Sequence, residues 1–496
     1  MTVMSSIVSN TSTSRGLDLF VDLDGTLIAA DIAQESLARA TRVHGGMKAS
    51  VKGFFSDGLS GLKRSLSEVA PPDIASLPYR DDVLNYIRAA KAEGRRVFLA
   101  TATDEHVAEQ IAEHLDVFDG VIASTPGQNL KGKEKLRAIQ SIAPDGFEYL
   151  GDSKADLPIW DAATKSGYIV PSRAAQRHRD RNSANATLQV TRTMSPAKAL
   201  FKAMRPHQWA KNALVFVPVL FAHQYTDPAI VLAAVLAFVC FSLCASGVYL
   251  LNDIVDIQAD RQHATKKNRP FAAGHLSIRR GLLAAAALLV GSTVAAFAFV
   301  NPLFGVVMIG YAALTTAYTF VLKSYSTVDV IALSLLYTVR ILAGSAATLL
   351  APSPWLLSFS VFFFLSLAYM KRYIELDRMN AVDADEKLPS RNYYASELQL
   401  VLAFGIANGA LSILTLAQYL NTEAMTVHYS AAFLLWLIVP VMMYWIYRAW
   451  TWASRGKIGD DPVLFAVKDR MSRLCVGIVL LIMGAARLLE IPGVFQ

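Results

Sequence analysis

Residues 17–23, LDLFVDL, are a short apolar run that ends directly on Asp24-Gly25-Thr26, the pattern of a buried strand feeding a turn. Helical periodicity follows to about residue 90, and RRVFLATAT at 95–103 reads as a second strand with polar residues at its end. EHVAEQIAEHL predicts a helix, VFDGVIAS a third strand and FEYLGDS a fourth. Strands alternating with helices predict an α/β doubly wound parallel sheet, with ligands at the strand C-termini, where the carboxylates and hydroxyls fall. Residues 172–198 are basic, polar and aperiodic at their start, so they read as a linker.

Beyond Lys211 the pattern changes. About nine apolar stretches, centred near residues 217, 240, 290, 312, 339, 363, 409, 439 and 482, approach the length needed to cross about 30 Å of hydrocarbon. They predict an all-α multi-pass membrane domain of about nine helices. Alternate connections (HQYTDP, VNPL, LAPSPW, LNTEAMTVH) and the tail EIPGVFQ hold no Lys or Arg, whereas residues 252–280, 371–397 and 448–474 are basic. The positive-inside rule then places the basic loops and the N-terminal domain in the cytosol and the C-terminus outside, at the plasma (inner) membrane.

Composition agrees with this division. At 496 residues, 53% hydrophobic and 18% charged, the chain exceeds one core, and its charge concentrates in the first two hundred positions and a few later loops. The expected organisation is a polar N-terminus at 1–15 without the apolar core of a signal peptide, a soluble domain at 16–171, the linker at 172–198 and a membrane domain at 199–496. A net charge of +7 brings nucleic acid to mind, but the later Lys and Arg lie in short loops between spans. There they serve topology and phosphate binding, and no nucleic-acid partner is expected. Cys240, Cys244 and Cys475 sit in apolar runs and read as packing residues, neither a disulfide framework nor a zinc site.

Two constellations carry chemistry. Asp22 and Asp24 alternate at the end of the first strand, followed in order by Thr101, the cluster Lys131, Lys133 and Lys135, and Gly151-Asp152-Ser153-Lys154-Ala155-Asp156. These four motifs resemble those of the haloacid dehalogenase (HAD) superfamily. The resemblance implies a phosphatase in which Asp22 is the nucleophile, Asp24 the acid/base and Thr101 a phosphate ligand. It further implies that Lys131, or Lys133 or Lys135 after a small loop shift, neutralises charge, and that Asp22, Asp24, Asp152 and Asp156 surround Mg2+. Residues 31–80 would form a small helical cap.

The second constellation is Asn252-Asp253-Ile254-Val255-Asp256-Ile257-Gln258-Ala259-Asp260 at the end of an apolar span. On a helix Asn252, Asp256 and Asp260 share one face, a platform for magnesium, and Arg261, His263, Lys266, Lys267 and Arg269 follow as a cluster suited to phosphate oxygens. Carboxylates are costly beside hydrocarbon and offer little to topology, which favours function over a plain charged loop.

This NDxxDxxxD pattern with about nine spans resembles the UbiA superfamily of intramembrane prenyltransferases over roughly residues 195–496. MRPHQWAKN (204–212), YLLNDIVDIQADRQHATKKNRPFAAG (249–274), YTFVLKSYSTVDV (318–330), TVRILAG (338–344) and MKRYIEL (370–376) bring it nearer to the polyprenyl-phosphate phosphoribosyltransferase branch. That branch makes the lipid precursor of D-arabinofuranose donors. Two departures stand out. The second DxxxD of many aromatic prenyltransferases is missing around Lys371, Arg372, Glu375 and Asp377, and Ala264 stands where that branch has Pro.

The resemblance implies that Asn252, Asp253, Asp256 and Asp260 hold Mg2+ and phosphoribosyl diphosphate while the phosphate of a membrane polyprenol attacks. Asp256 is the central group, and Lys211, Lys266, Lys267, Arg269 and Lys323 are candidate phosphate ligands. Arg340, deep in an apolar segment, is expected to bind substrate, with helix pairing as the alternative. Arg205 and Trp209 sit before the first span and Tyr318 at a span end, positions that suit anchoring or lining as well as binding. The expected function is transfer of 5-phosphoribosyl to polyprenyl phosphate, with the HAD domain removing the 5-phosphate. Alternatives are an aromatic polyprenyltransferase of quinone synthesis and a lipid-binding or transport scaffold for a phosphatase. Oligomeric state is not legible in the sequence.

Overall fold

The computed structural model describes residues 16–40, 65–66, 68–125, 128–379, 385–388, 391–422, 427–459 and 461–489. The chain divides into two units, one formed by Met1–Met204 with Tyr249–Ala285 and the other by Arg205–Val248 with Ala286–Gln496. The N-terminal arm and about half of the expected cap, chiefly 41–64, lie outside the described residues.

In the first unit six parallel strands, β1 (Asp18–Val21), β2 (Val97–Asp104), β3 (Gly120–Ser124), β4 (Phe147–Gly151), β5 (Lys165–Ile169) and β6 (Ala186–Val190), run in the order β3-β2-β1-β4-β5-β6. β1 shows why its sequence looks uniformly apolar: Leu19 and Val21 enter a core with Leu99 and Leu150, while Phe20 enters another with Phe98 and Tyr149 on the opposite face. The connecting helices α1 (Ile32–Ala40), α2 (Asp81–Ala92), α3 (Glu105–Leu115), α4 (Lys133–Ile142), α5 (Leu157–Ala162) and α6 (Arg173–Arg181) complete the doubly wound fold.

The expected linker is partly a correction. Within 172–198 lie α6 and β6, and β6 extends the sheet beside β5. An edge strand buries little, and the alternation of half-buried and exposed residues in ATLQV hides its apolar signal. Thr187 hydrogen-bonds the buried Glu148 carboxylate on β4, which also accepts from Tyr86 and pairs with Arg95. His178 ties α6 to Tyr168 at 2.9 Å and to Asp161 at 2.9 Å.

Among the described residues eight helices are long and apolar enough to cross a membrane. They include α7 (Pro228–Val255), α9 (Ile278–Phe299), α10 (Pro302–Phe320), α11 (Val328–Thr348), α12 (Pro354–Asp377), α13 (Leu398–Leu420), α14 (Ile438–Ser454) and α15 (Arg470–Leu488), with a short helix α8 (Ile257–Gln262) after α7. Leu283, Val290, Phe299, Val306 and Leu481 are all at least 60% exposed along these helices, a lipid-facing rather than aqueous distribution. The first apolar stretch differs from the rest: Pro206–Phe216 is a 3-10 helix running into a single helical turn, Val217–Phe221. The three cysteines are free and buried.

Candidate active sites

The first site forms where β1 and β4 end. Gly25 has φ +78°, and a Cβ there would stand 2.5 Å from Asp152 Oδ2, so only glycine lets the two motif loops meet. Asp22, Asp152 and Asp156 each present an oxygen within 4.8 Å of the others, a spacing that fits a divalent cation. Burial, then charge from neighbouring carboxylates, pushes Asp152 up to about 8. Burial likewise pushes Asp22 up to about 6 against the pull of Lys135. A carboxylate cluster this under-compensated calls for added positive charge.

Lys135 is the lysine at this site. Its Nζ lies 2.7 Å from Asp22 Oδ1, 3.1 Å from Tyr149 Oη and 3.9 Å from Asp156 Oδ1. Lys131 and Lys133 are exposed, with Lys131 at the cavity wall. Lys135 lies in the first turn of α4 and points into the core, a direction that spacing alone does not reveal.

Asp24 faces elsewhere. Its carboxylate accepts from Ile32 N at 2.8 Å and from Thr103 Oγ1 at 2.8 Å, so its side chain stands outside the three-carboxylate group. Burial and Asp31 push it up to about 7, where a carboxyl exchanges protons near neutrality. Thr101 is fully buried and accepts from Thr103 N at 3.0 Å, so Thr103, which sequence reasoning passed over, holds the acid. Asp156 is held by Tyr149 Oη, Ser153 N and Ser153 Oγ.

A cavity of about 780 Å³ opens over Asp22 and Asp24, and part of its wall is residues 271–280, beyond the Asp-rich motif. That segment packs on the phosphatase fold. Arg261 donates to both Glu35 oxygens at 2.7 and 3.1 Å and to Ala272 O at 3.0 Å. Gly274, at φ +69°, lies against Ala29, where a Cβ would meet the carbonyl oxygen at 2.3 Å. Arg279 N donates to Gln34 Oε1 at 3.0 Å.

The Asp-rich segment is not one helix. α7 ends at Val255 and α8 starts at Ile257, yet Asp256 N donates to Asn252 O and Asp260 N to Asp256 O, each at 2.9 Å. Fourfold spacing therefore survives the break. Asp253 and Asp260 are buried, and Arg269 Nη1 reaches both, at 3.3 and 2.7 Å. Burial outweighs Arg269 and raises Asp260. Among the described residues Asp253, Asp256 and Asp260 do not form a three-carboxylate group at metal-ligand spacing, because a guanidinium bridges two of them. Asn252 and Asp256 are half-buried, Lys266 half-buried and Lys267 exposed. Arg261, expected in the phosphate cluster, is spent on Glu35.

In the second unit Arg340 is 5% exposed and its donors meet Asn212 Oδ1 at 2.9 Å, Tyr311 Oη at 3.3 Å and Leu336 O. Phe241, Tyr311 and Tyr337 surround it at 5.2 to 5.6 Å. These contacts join α11 to the entry stretch and to α10, as the helix-pairing alternative requires. Lys211 pairs with Asp461, and Lys323 is half-buried on a short 3-10 turn. Trp209 Nε1 donates to Ser246 Oγ at 3.0 Å, so it joins the entry stretch to α7.

A network not anticipated from spacing surrounds Asp329, wholly buried near the start of α11. Tyr318 Oη donates to it at 2.8 Å, Arg391 Nη1 at 2.8 Å, and Arg372 Nε lies 2.6 Å away. Glu375 pairs with Arg372 and lies 3.7 Å from Arg391. The signal was there: an aspartate at the head of an apolar run is the intramembrane charge that marks a site or a structural pair.

Comparison with known proteins gives the same two parts. The model of the UbiA prenyltransferase family matches residues 213–469, and that of haloacid dehalogenase-like hydrolases residues 19–161. An uncharacterised protein of Sinorhizobium fredii, y4nM, is 37% identical over 469 residues, covering 92% of this chain and 89% of that one. Decaprenyl-phosphate phosphoribosyltransferase of Mycobacterium tuberculosis is 36% identical over 217 residues, 42% of this chain and 71% of that enzyme. The solved structure of a UbiA homolog from Archaeoglobus fulgidus bound to GPP and Mg2+ is 18% identical at TM-score 0.45, covering 58% of this chain and 99% of that one. The chain belongs to the UbiA prenyltransferase family, as a membrane transferase of that superfamily joined to a HAD-like hydrolase domain.

Proposed function

We propose that the membrane part transfers a 5-phosphoribosyl group from phosphoribosyl diphosphate to a polyprenyl phosphate, and that the HAD part removes the 5-phosphate from the product. The observation that carries this reading is the loop 271–280. It follows the Asp-rich motif in sequence and walls the cavity over Asp22, so a ligand site of the transferase is joined by a few residues to the phosphatase. The likeness to decaprenyl-phosphate phosphoribosyltransferase supports the choice of donor and acceptor.

In the transfer step a phosphate oxygen of the polyprenyl phosphate forms a bond to ribose C1 as the bond from C1 to the diphosphate oxygen breaks. Asn252 and Asp256 would hold the leaving diphosphate through Mg2+, which supplies charge neutralisation, and Lys266 and Lys267 add positive charge beside it. Arg269 would hold Asp253 and Asp260 in place. In the hydrolytic step an Asp22 oxygen attacks phosphorus while the bond to the ribose 5-oxygen breaks and the Asp24 carboxyl gives that oxygen its proton. Asp24 then accepts a proton from water as that water attacks the aspartyl phosphate, releasing inorganic phosphate and restoring Asp22. Asp22, Asp152 and Asp156 would hold Mg2+, and Lys135 compensates charge on Asp22. The HAD domain and basic loops face the cytosol, where phosphoribosyl diphosphate is available, in the reading that the loop charges favour.

The test supplies membranes containing the chain with labelled phosphoribosyl diphosphate and polyprenyl phosphate. A labelled lipid should form and lose its phosphate only while Asp22 is intact. If the membranes instead consume a polyprenyl diphosphate with an aromatic acid and ignore phosphoribosyl diphosphate, the reading is wrong.

A further inference from the structure

The cavity over Asp22, at about 780 Å³, is larger than one phosphoryl group needs. Arg80, Arg192, His275 and Arg280 line it, with Asp31, Asp81 and Asp82 also at its edge. Arg80 is within the field of groups of both signs: burial lowers its pKa, Asp152 on the catalytic side raises it, Arg192 lowers it and Asp82 raises it. His275 is lowered by burial, then by Lys202 and Arg80, so it is an imidazole standing in the field of those cations that gains a proton more readily beside a bound anion. Arg80 Nε is buried and has no hydrogen-bond partner among the described residues. Arg280 lies in the first turn of α9, a membrane-spanning helix, so this part of the lining is within one helical turn of the start of a span.

We propose that the phosphatase cavity has a second anion subsite, formed by Arg80, Arg192, His275 and Arg280, and therefore takes a phosphomonoester that carries a second phosphate-type group. The monoester faces Asp22 and the second anion faces these four basic residues, two of which come from the loop beyond the Asp-rich motif. The chemistry explains why cations crowd there: repulsion among them is relieved when an anionic group binds, and guanidinium forks suit phosphate oxygens. The same group is present in a soluble sugar bisphosphate and in a phosphodiester linking a sugar phosphate to a lipid, and the position of Arg280 favours the second. The inference deepens the reading proposed above and rests on the phosphatase half of it.

The experiment uses the full chain in nanodiscs with Mg2+ and three ready-made substrates: ribose 5-phosphate, ribose 1,5-bisphosphate and a 5-phosphoribosyl polyprenyl phosphodiester. We expect kcat/KM for at least the lipid substrate to exceed that for ribose 5-phosphate by about tenfold or more, as for sites built around a specific polar group. Arg192→Gln and Arg280→Gln, both at exposed positions, should remove that preference through KM and leave ribose 5-phosphate hydrolysis unchanged. A preference shared by the bisphosphate identifies phosphate itself as the recognised group; one confined to the lipid and lost in the variants identifies the phosphodiester at the membrane. Equal kcat/KM for all three substrates, or a preference that both variants leave intact, overturns the proposal. Since the substrates are supplied ready-made, a failure of phosphoribosyl transfer leaves this outcome untouched and is told apart from it.

Discussion

Lys135 and Lys131 differ by one turn of helix in the chain and by far more in their surroundings. Lys135 is buried against Asp22, Tyr149 and Asp156, whereas Lys131 is exposed. Lys135→Ala should therefore lower phosphate release by about a hundredfold or more, the scale lost with one group that stabilises transition-state charge, while Lys131→Ala changes it by less than about tenfold. Phosphate release by the purified full chain measures both. The carboxylates of the same site set a pH dependence. Asp22, Asp24 and Asp152 are raised to about 6, 7 and 8, all above the ordinary carboxylate range. A raised carboxyl pKa contributes stability that is present at low pH and lost as pH rises through the folded value. Without a divalent cation the first unit should lose stability between about pH 4 and 8. Mg2+ should restore it, so the gain in Tm on replacing EDTA by Mg2+ should be larger at pH 8 than at pH 5. About 1 kcal/mol moves Tm by about 2–4 °C in a domain of this size, within reach of a thermal melt.

The elements that depart from expectation are those that bury least or meet partners far along the chain. β6 is an edge strand whose side chains alternate between half-buried and exposed, so no apolar run announced it. The break between α7 and α8 falls at Asp256, inside a motif whose spacing alone predicts an unbroken helix. Helices α1 and α8 are joined by the Glu35–Arg261 pair, whose side chains are only 2% and 6% exposed. Removing one partner of a buried pair strands the other charge and typically costs about 3–5 kcal/mol. Arg261→Ala and Glu35→Ala should each lower the Tm of the first unit markedly, and the double variant should be no worse than the poorer single one. Gly274→Ala tests the same contact sterically: its φ of +69° and the 2.3 Å approach to Ala29 O leave no room for a methyl group. Phosphatase activity should fall with it while the Asp22 cluster keeps its affinity for Mg2+, which titration calorimetry would read.

At the scale of the whole molecule the open question is how many times the chain crosses the membrane. Among the described residues eight helical stretches are long enough, one of them, Ala432–Ser454, by adding a 3-10 segment to α14. The sixteen residues ahead of them, Pro206–Phe221, open on the polar segment PHQWAKN, but eleven of them, Pro206–Phe216, are 3-10 helix at about 2.0 Å per residue. With the five of Val217–Phe221 at about 1.5 Å each, the stretch spans about 30 Å, close to the hydrocarbon thickness. A crossing there makes nine spans and puts the two ends of the membrane part on opposite sides. A cysteine placed at Gln224 and a tag after residue 489 should both be labelled from outside, and labelling of the tag only after permeabilisation would mean eight. Much of this protein was legible in the chain alone. The alternation of strands and helices and the apolar spans follow from local periodicity, because backbone geometry repeats every two or 3.6 residues whatever the rest of the chain does, and the four phosphatase motifs and the Asp-rich segment are legible as short runs that resemble those of known families. Tertiary structure alone decided which lysine meets Asp22, that Arg269 bridges Asp253 and Asp260, that Arg340 is spent on Asn212 and Tyr311, and that residues 271–280 wall the phosphatase cavity. Each of these depends on the direction of a long side chain or on contacts between segments as much as two hundred residues apart, and neither has a period that a sequence can display.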